Sequence, residues 1–269
     1  MSREALDKYG AFILDIDGVL TRGGVAISGS VEGVANLRKL GRVSLLTNNS
    51  SRSRRGVSEY LNAAGFEFQP EEIVTSSYII SRYLLEAHGQ VKVWTIGEAG
   101  LDEELEHAGH RVGQSSQADW LVTGICWDLR YGMLAEALQV LNDGGRYVAT
   151  NTDGTFPMPG GPKPGAGAIV GAISAMGYPP EMVVGKPSSI AYDTVLEGLD
   201  GQRGDVLMVG DRLETDILGA NRAGLDSALV LTGISVPADI DRTGVRPTIV
   251  TDNLLSLSRG ELKVARSES

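Results

Sequence analysis

Short apolar runs recur along the chain, each ending in a polar turn and followed by a stretch whose apolar residues return every three or four positions. That alternation is the βαβ signature of a parallel sheet flanked by helices. It predicts strands over 12–16, 43–47, 91–96, 120–123, 147–150, 182–184, 206–209 and 228–231. Helices are predicted over 31–40, 53–64, 76–87, 131–142, 165–176, 188–196 and 215–223. Right-handed crossovers then leave few topologies. The stretch 154–165 is dense in Pro and Gly and reads as an ordered surface loop or interdomain edge, because the apolar pattern resumes directly after it. Gly165-Ala166-Gly167-Ala168-Ile169-Val170-Gly171 imitates a dinucleotide fingerprint, but its spacing is wrong and no strand precedes it. It reads as a helix start with small residues.

At 269 residues the chain exceeds the usual single domain, so two domains or one large α/β unit are expected. With 42% hydrophobic and 22% charged residues it can build a core. A net charge of -10, from 24 Lys and Arg against 34 Asp and Glu, argues against wrapping nucleic acid or lying on an anionic membrane. It leaves room for a small phosphorylated metabolite, with a divalent metal between ligand and carboxylates. Cys126 is the single cysteine, which removes disulfides and thiolate metal sites and fits a reducing cytoplasm. It follows an apolar run with no His near it in sequence, so packing is its expected role. The first residues lack an apolar signal core, and no run is long enough to span a bilayer. His107 and His110 lie among Glu103, Glu104 and Glu106 and read as a solvated helix end.

Candidate chemistry sits where strands end. The run Phe12-Ile13-Leu14 gives way to Asp15-Ile16-Asp17-Gly18, and period-two geometry points both carboxylates to one side at the sheet edge where ligands bind. Taken alone, Asp17-Gly18 reads equally well as a turn. Three more strand ends decide the matter. One delivers Thr47-Asn48-Asn49-Ser50-Ser51 ahead of a helix, which suits a phosphate, whereas simple capping needs only one such residue. Another delivers Gly185-Lys186-Pro187, with a cation able to neutralise phosphate and carboxylate together. The last delivers Gly210-Asp211-Arg212-Leu213-Glu214-Thr215-Asp216. Jointly they spell phosphoryl transfer. A phosphate dianion repels an attacking carboxylate unless a divalent cation and a lysine offset the charge. Oxygen ligands from Asp15, the Asp17 carbonyl and Asp211 suit Mg²⁺. Asp15 would attack phosphorus, and Asp17 would protonate the leaving oxygen and then deprotonate water. Asp15 should therefore stay ionised while Asp17 can hold a proton.

These four ordered motifs resemble those of the haloacid dehalogenase (HAD) superfamily, and within it the NagD-like, 4-nitrophenylphosphatase branch, which includes phosphoglycolate, glycerol-3-phosphate and pyridoxal phosphatases. The resemblance implies an α/β fold: a Rossmann-like parallel-sheet core from 1–76 and 181–269, with an inserted mixed α/β cap of C2 type over 77–180. It implies Asp15 as nucleophile and Mg²⁺ ligand, Asp17 as acid/base and carbonyl ligand, and Thr47 and Asn48, with Asn49 beside them, as phosphate binders. Lys186 would stabilise phosphate and Asp15, Asp211 would hold Mg²⁺, and Asp216 and Gly210 would support them. The aspartate at 17 separates the chain from dehalogenases and phosphonatases. Asn151, Asp153 and Phe156 are the candidates for substrate choice, and Phe156 stands near the place where pyridoxal phosphatases carry a histidine. Trp127 and Tyr131 are further aromatic candidates for the cleft, with buried packing as the other reading.

The expected activity is Mg²⁺-dependent hydrolysis of small phosphomonoesters through an aspartyl-phosphate, with phosphoglycolate, glycerol phosphate, a sugar phosphate or a nucleotide as substrate and 4-nitrophenyl phosphate as an artificial one. A non-catalytic phospho-ligand binding protein, or a phosphomutase or phosphotransferase, is the alternative. A homo-oligomer is expected from the resemblance alone.

Overall fold

In a computed structural model, which describes residues 6–156, 160–199 and 203–262, the run Ala11–Leu14 forms a strand whose four side chains are all buried. A strand so apolar must be covered on both faces. It lies inside a six-stranded sheet in the order Ile249–Thr251, Asp226–Val230, Val206–Gly210, Ala11–Leu14, Arg42–Thr47 and Ile73–Thr75. The first five strands pair in parallel. Leu14 stands level with both Val209 and Leu45, so three strands finish at nearly the same height. The residues that follow them leave the sheet at one carboxyl edge, where open α/β sheets bind ligands.

The chain divides into two compact units: Met1–Thr47 with Tyr60–Val74 and Lys186–Ser269, and Asn48–Glu59 with Thr75–Gly185. The boundaries thus fall at 74/75 and 185/186, where the sequence reading set 76/77 and 180/181. The segment 48–59 goes with the second unit, and apolar periodicity carries no sign of that.

The second unit has its own five-stranded parallel sheet, ordered Met182–Val183, Arg146–Ala149, Trp120–Thr123, Lys92–Ile96 and Arg111–Val112. Ile96, Leu121 and Tyr147 of this sheet pack with Val140 of helix Tyr131–Asn142 and with Ile169 and Ile173 of helix Ala166–Ala175. Burying each such aliphatic side chain stabilises the unit by about 1.5–3 kcal/mol. Cys126 packs half-buried against the same cluster, and burial raises its thiol pKa, as suits a packing residue.

Three strands of three residues or fewer, Ile73–Thr75, Ile249–Thr251 and Arg111–Val112, escaped the sequence reading because they are too short to show alternation, whereas the two-residue Met182–Val183 lies within the strand expected over 182–184. The predicted helix over 215–223 is instead a π-helical turn, Leu213–Ile217, followed by the α-helix Leu218–Arg222. The Pro/Gly stretch forms a two-stranded antiparallel hairpin, Thr155–Phe156 with Lys163–Pro164; positions 157–159 lie outside the described residues. The solvated-helix reading holds for His107 but not for His110, which is buried. His110 Nδ1 accepts from Val91 N at 3.3 Å, so Nε2 donates to Ser81 O at 2.9 Å. Among the described residues no helix is long and apolar enough to cross a membrane.

Candidate active site

In the first unit, Lys186 Nζ donates to Asp15 Oδ1 at 2.7 Å, Asp216 Oδ1 at 2.7 Å and Leu46 O at 3.0 Å. Two strand ends and the turn after a third strand thereby meet on one ammonium. Asp15, Lys186, Asp211 and Asp216 are all buried, at 7%, 4%, 4% and 1% exposure. One oxygen each from Asp15, Asp211 and Asp216 lies within 4.8 Å of the others, close enough to share a metal ion.

Local structure fixes each group. Asp15 N continues the ladder onto Val209 O at 2.9 Å, so the carboxylate starts from a rigid strand end. Gly18, at φ 86°, turns the chain directly beneath Asp211; a Cβ there would lie 2.5 Å from Asp211 Oδ2. Thr232 Oγ1 donates to Gly18 O at 2.5 Å and ties that turn to the next loop. From the same loop Ile234 N donates to Asp211 Oδ2 at 2.8 Å, and Ser235 N to Asp211 O at 3.0 Å. Asp216 Oδ2 accepts from Arg212 N at 3.0 Å, which closes the π-helical turn on its own carboxylate. At Gly210 a Cβ would lie 2.2 Å from Asp216 Cβ, so only glycine lets the strand pass.

Electrostatics follow from three buried carboxylates facing one ammonium. Burial raises the Asp15 pKa well above the ordinary value; Lys186 opposes this, and Asp216 and Asp211 add to it. Burial, then Asp216, pushes Asp211 up to about 7. Burial alone would lower Lys186, but Asp15 and Asp216 outweigh it and hold the ammonium charged. Asp17 is solvent-exposed, and its carboxyl accepts a long 3.5 Å bond from Thr21 Oγ1. The surrounding protein still raises its pKa by desolvation, against Lys186 and Thr21. The expected contrast between an ionised Asp15 and a protonatable Asp17 is therefore not produced by the protein groups alone. Burial raises both, and a bound cation is what would separate them.

Thr47 is buried at the end of its strand in the first unit, while Asn48 and Asn49 belong to the second. There Asn48 Nδ2 donates to Asp153 Oδ2 at 3.0 Å, and Asn151 Nδ2 donates to Asn48 O at 2.8 Å. Asp153 N returns a bond to Asn151 Oδ1 at 3.1 Å. Three predicted residues more than a hundred positions apart at the extremes are thus one network. Asn49 Oδ1 instead accepts from Ser51 N at 2.8 Å, Ser51 Oγ at 2.9 Å and Arg52 N at 3.3 Å, a local turn. Phe156 stands edge-to-face with Trp127, ring centroids 5.2 Å apart. Trp127 and Tyr131 are exposed at 53% and 87%, which removes the buried-packing reading for both. The sequence reading missed the loop from Thr232 to Ser235 that carries Asp211; its signal was another glycine and hydroxyl cluster just past a strand, Thr232-Gly233-Ile234-Ser235.

A parallel sheet delivering three acids to one carboxyl edge, with a buried lysine between two of them, defines a HAD-type hydrolase, and the chain belongs to that family; the short strand ahead of that lysine, Met182–Val183, pairs in the second unit's sheet and not in this one. It matches the haloacid dehalogenase-like hydrolase family over residues 12–111 and a HAD-hydrolase-like family over residues 183–257. It is 30% identical to an acid sugar phosphatase of Staphylococcus saprophyticus, over 93% of this chain and 96% of the relative. Among solved structures it is similar to the p-nitrophenyl phosphatase from Archaeoglobus fulgidus, with a TM-score of 0.88 and 36% identity over 94% of this chain and 99% of that one. It is likewise similar to a glycerol phosphate phosphatase from Mycobacterium tuberculosis in complex with magnesium, with a TM-score of 0.87 and 32% identity, over 94% of this chain and 78% of that one.

Proposed function

We propose that this chain hydrolyses small phosphomonoesters, with Asp15 as nucleophile and Mg²⁺ as cofactor. The observation that carries the reading is Lys186 held 2.7 Å from both Asp15 and Asp216, beside a third buried carboxylate. A buried cluster with two more acids than bases, all hard oxygen donors, fits a divalent cation of Mg²⁺ type. Asp15, Asp211 and the Asp17 carbonyl would hold it, with Asp216 in support. When bound, the cation offsets phosphate charge and keeps Asp15 ionised.

The chain's own groups do the rest. An Asp15 oxygen forms the bond to phosphorus while the ester P–O bond breaks, and Asp17 gives its proton to the leaving oxygen. Asp17 then takes a proton from the water that attacks the aspartyl-phosphate, releasing inorganic phosphate and restoring Asp15. Lys186 and Thr47 balance and orient the phosphoryl group. Asn48, tied to Asp153, contributes an amide to the same task.

The relatives' substrates, a sugar phosphate, glycerol phosphate and 4-nitrophenyl phosphate, support a small phosphorylated metabolite as the ligand. Residues 1–76 and 181–269 would carry the chemistry, and 77–180 would act as a cap that selects the leaving group through Asn151, Asp153 and Phe156. We place the enzyme in the cytoplasm, with no nucleic acid or membrane partner. Phosphate release from a panel of phosphomonoesters should require Mg²⁺ and stop on chelation. Equal release in EDTA, or phosphate appearing on an organic acceptor instead of in water, would overturn the reading.

A further inference from the structure

Tyr192 lies in the first turn of helix Ser189–Glu197, six residues beyond Lys186, and is fully buried. Its hydroxyl donates to Asp216 O at 2.8 Å and to Thr215 O at 3.1 Å. Both carbonyls belong to the π-helical turn Leu213–Ile217. Such turns are rare and cluster at functional sites, and here the hydroxyl adds a bond from a neighbouring helix to the turn's own backbone pairing, in which Leu218 N donates to Leu213 O and Thr215 O.

The fold makes room for this tyrosine. A Cβ on Gly219 would lie 2.3 Å from Tyr192 Cε2 and 2.5 Å from its hydroxyl, so the next helix passes flat against the ring. The clamped turn is the one whose Asp216 side chain reaches Lys186 Nζ at 2.7 Å and Arg212 N at 3.0 Å. Lys186 in turn reaches Asp15 at 2.7 Å. A phenylalanine would fill the same space, and a buried hydroxyl is costly unless its bonds matter.

We propose that Tyr192 is a positioning residue: its hydroxyl fixes the π-helical turn so that the Asp216 carboxylate faces Lys186 and the cation site. The inference rests on the phosphatase reading for its kinetic arm only.

The test is Tyr192→Phe in the full chain, which keeps the ring and deletes the hydroxyl. With 4-nitrophenyl phosphate across a Mg²⁺ titration, kcat falls about 10- to 100-fold and the Mg²⁺ needed for half-maximal rate rises about tenfold, as for other groups that orient metal-site ligands. KM for the ester stays within about twofold, since the hydroxyl touches no substrate. Without turnover, the rise in melting temperature on adding Mg²⁺ to the metal-free protein shrinks relative to wild type. A variant with wild-type kcat, Mg²⁺ dependence and Mg²⁺-induced shift, whatever its melting temperature, overturns the inference and leaves the hydroxyl a role in folding alone. Wild type that gains stability from Mg²⁺ but releases no phosphate would sink the phosphatase reading instead, and the thermal shift would still decide the role of Tyr192.

Discussion

The two units bury polar groups in opposite ways. In the second unit they are neutral or matched: Thr123 Oγ1 meets the Tyr147 hydroxyl at 2.9 Å, His110 is bonded at both ring nitrogens, and the buried Glu104 accepts from Arg54 N at 2.6 Å with the Arg54 guanidinium 3.8 Å away. In the first unit three buried carboxylates cluster and a single lysine pairs with two of them. Matched networks hold a fold together, whereas an uneven buried charge is tolerated only where something else will complete it. The imbalance, more than burial or hydrogen bonding, is what sets the catalytic edge apart from ordinary architecture.

That contrast can be attacked at several strengths. Asp15→Asn should lower phosphate release by at least about 10³-fold while leaving the metal-free protein as stable as wild type or more so, because it relieves crowded negative charge. A comparable activity loss accompanied by marked destabilisation would show the carboxylate to be structural. Lys186→Met should act the other way on stability. It strands two carboxylates in the interior and costs about 3–5 kcal/mol by urea denaturation. A stable Lys186→Met protein would mean the cluster was never charged.

The pH dependence sharpens the same point. Asp211 sits near 7 in the folded, metal-free protein, against about 4 in an unfolded chain. Between those values the folded state keeps a proton that the unfolded state has lost. Stability in EDTA should therefore fall as pH rises from about 4 to about 7. The gain from Mg²⁺ should grow over the same window, and Asp211→Asn should flatten both trends in melting temperature. A wild-type slope unchanged by Asp211→Asn would contradict the assignment. The smallest effect belongs to the matched side. Tyr147→Phe in the second unit removes one buried hydroxyl bond and should cost about 1 kcal/mol, with activity intact. Lost activity there would blur the distinction between the units.

Much of this was legible in the sequence, for physical reasons. The strand Ala11–Leu14 is apolar throughout because it is central, and the polar residues after it had to be explained by something outside packing. Asp15, Lys186, Asp211 and Asp216 announced themselves as charge placed just past apolar runs. What stayed hidden depends on contacts distant in sequence or on local backbone. The bond from Asn48 to Asp153 links two segments 105 residues apart, and the capture of Asn49 by its own turn needs actual torsions. The π-helical turn at Leu213–Ile217 carries the same apolar spacing as an α-helix, so periodicity could not separate them. His110 looked solvated because its neighbours in sequence are charged; the groups that bury it, Ser81 and Val91, come from other elements.

The most direct test is acid quench of a single turnover with a ³²P-labelled phosphomonoester in the presence of Mg²⁺, followed by peptide mapping. Transient label on the peptide containing Asp15, absent from Asp15→Asn, is the expected result. Full turnover with no labelled protein at any time, or label on another residue, would contradict nucleophilic attack by Asp15.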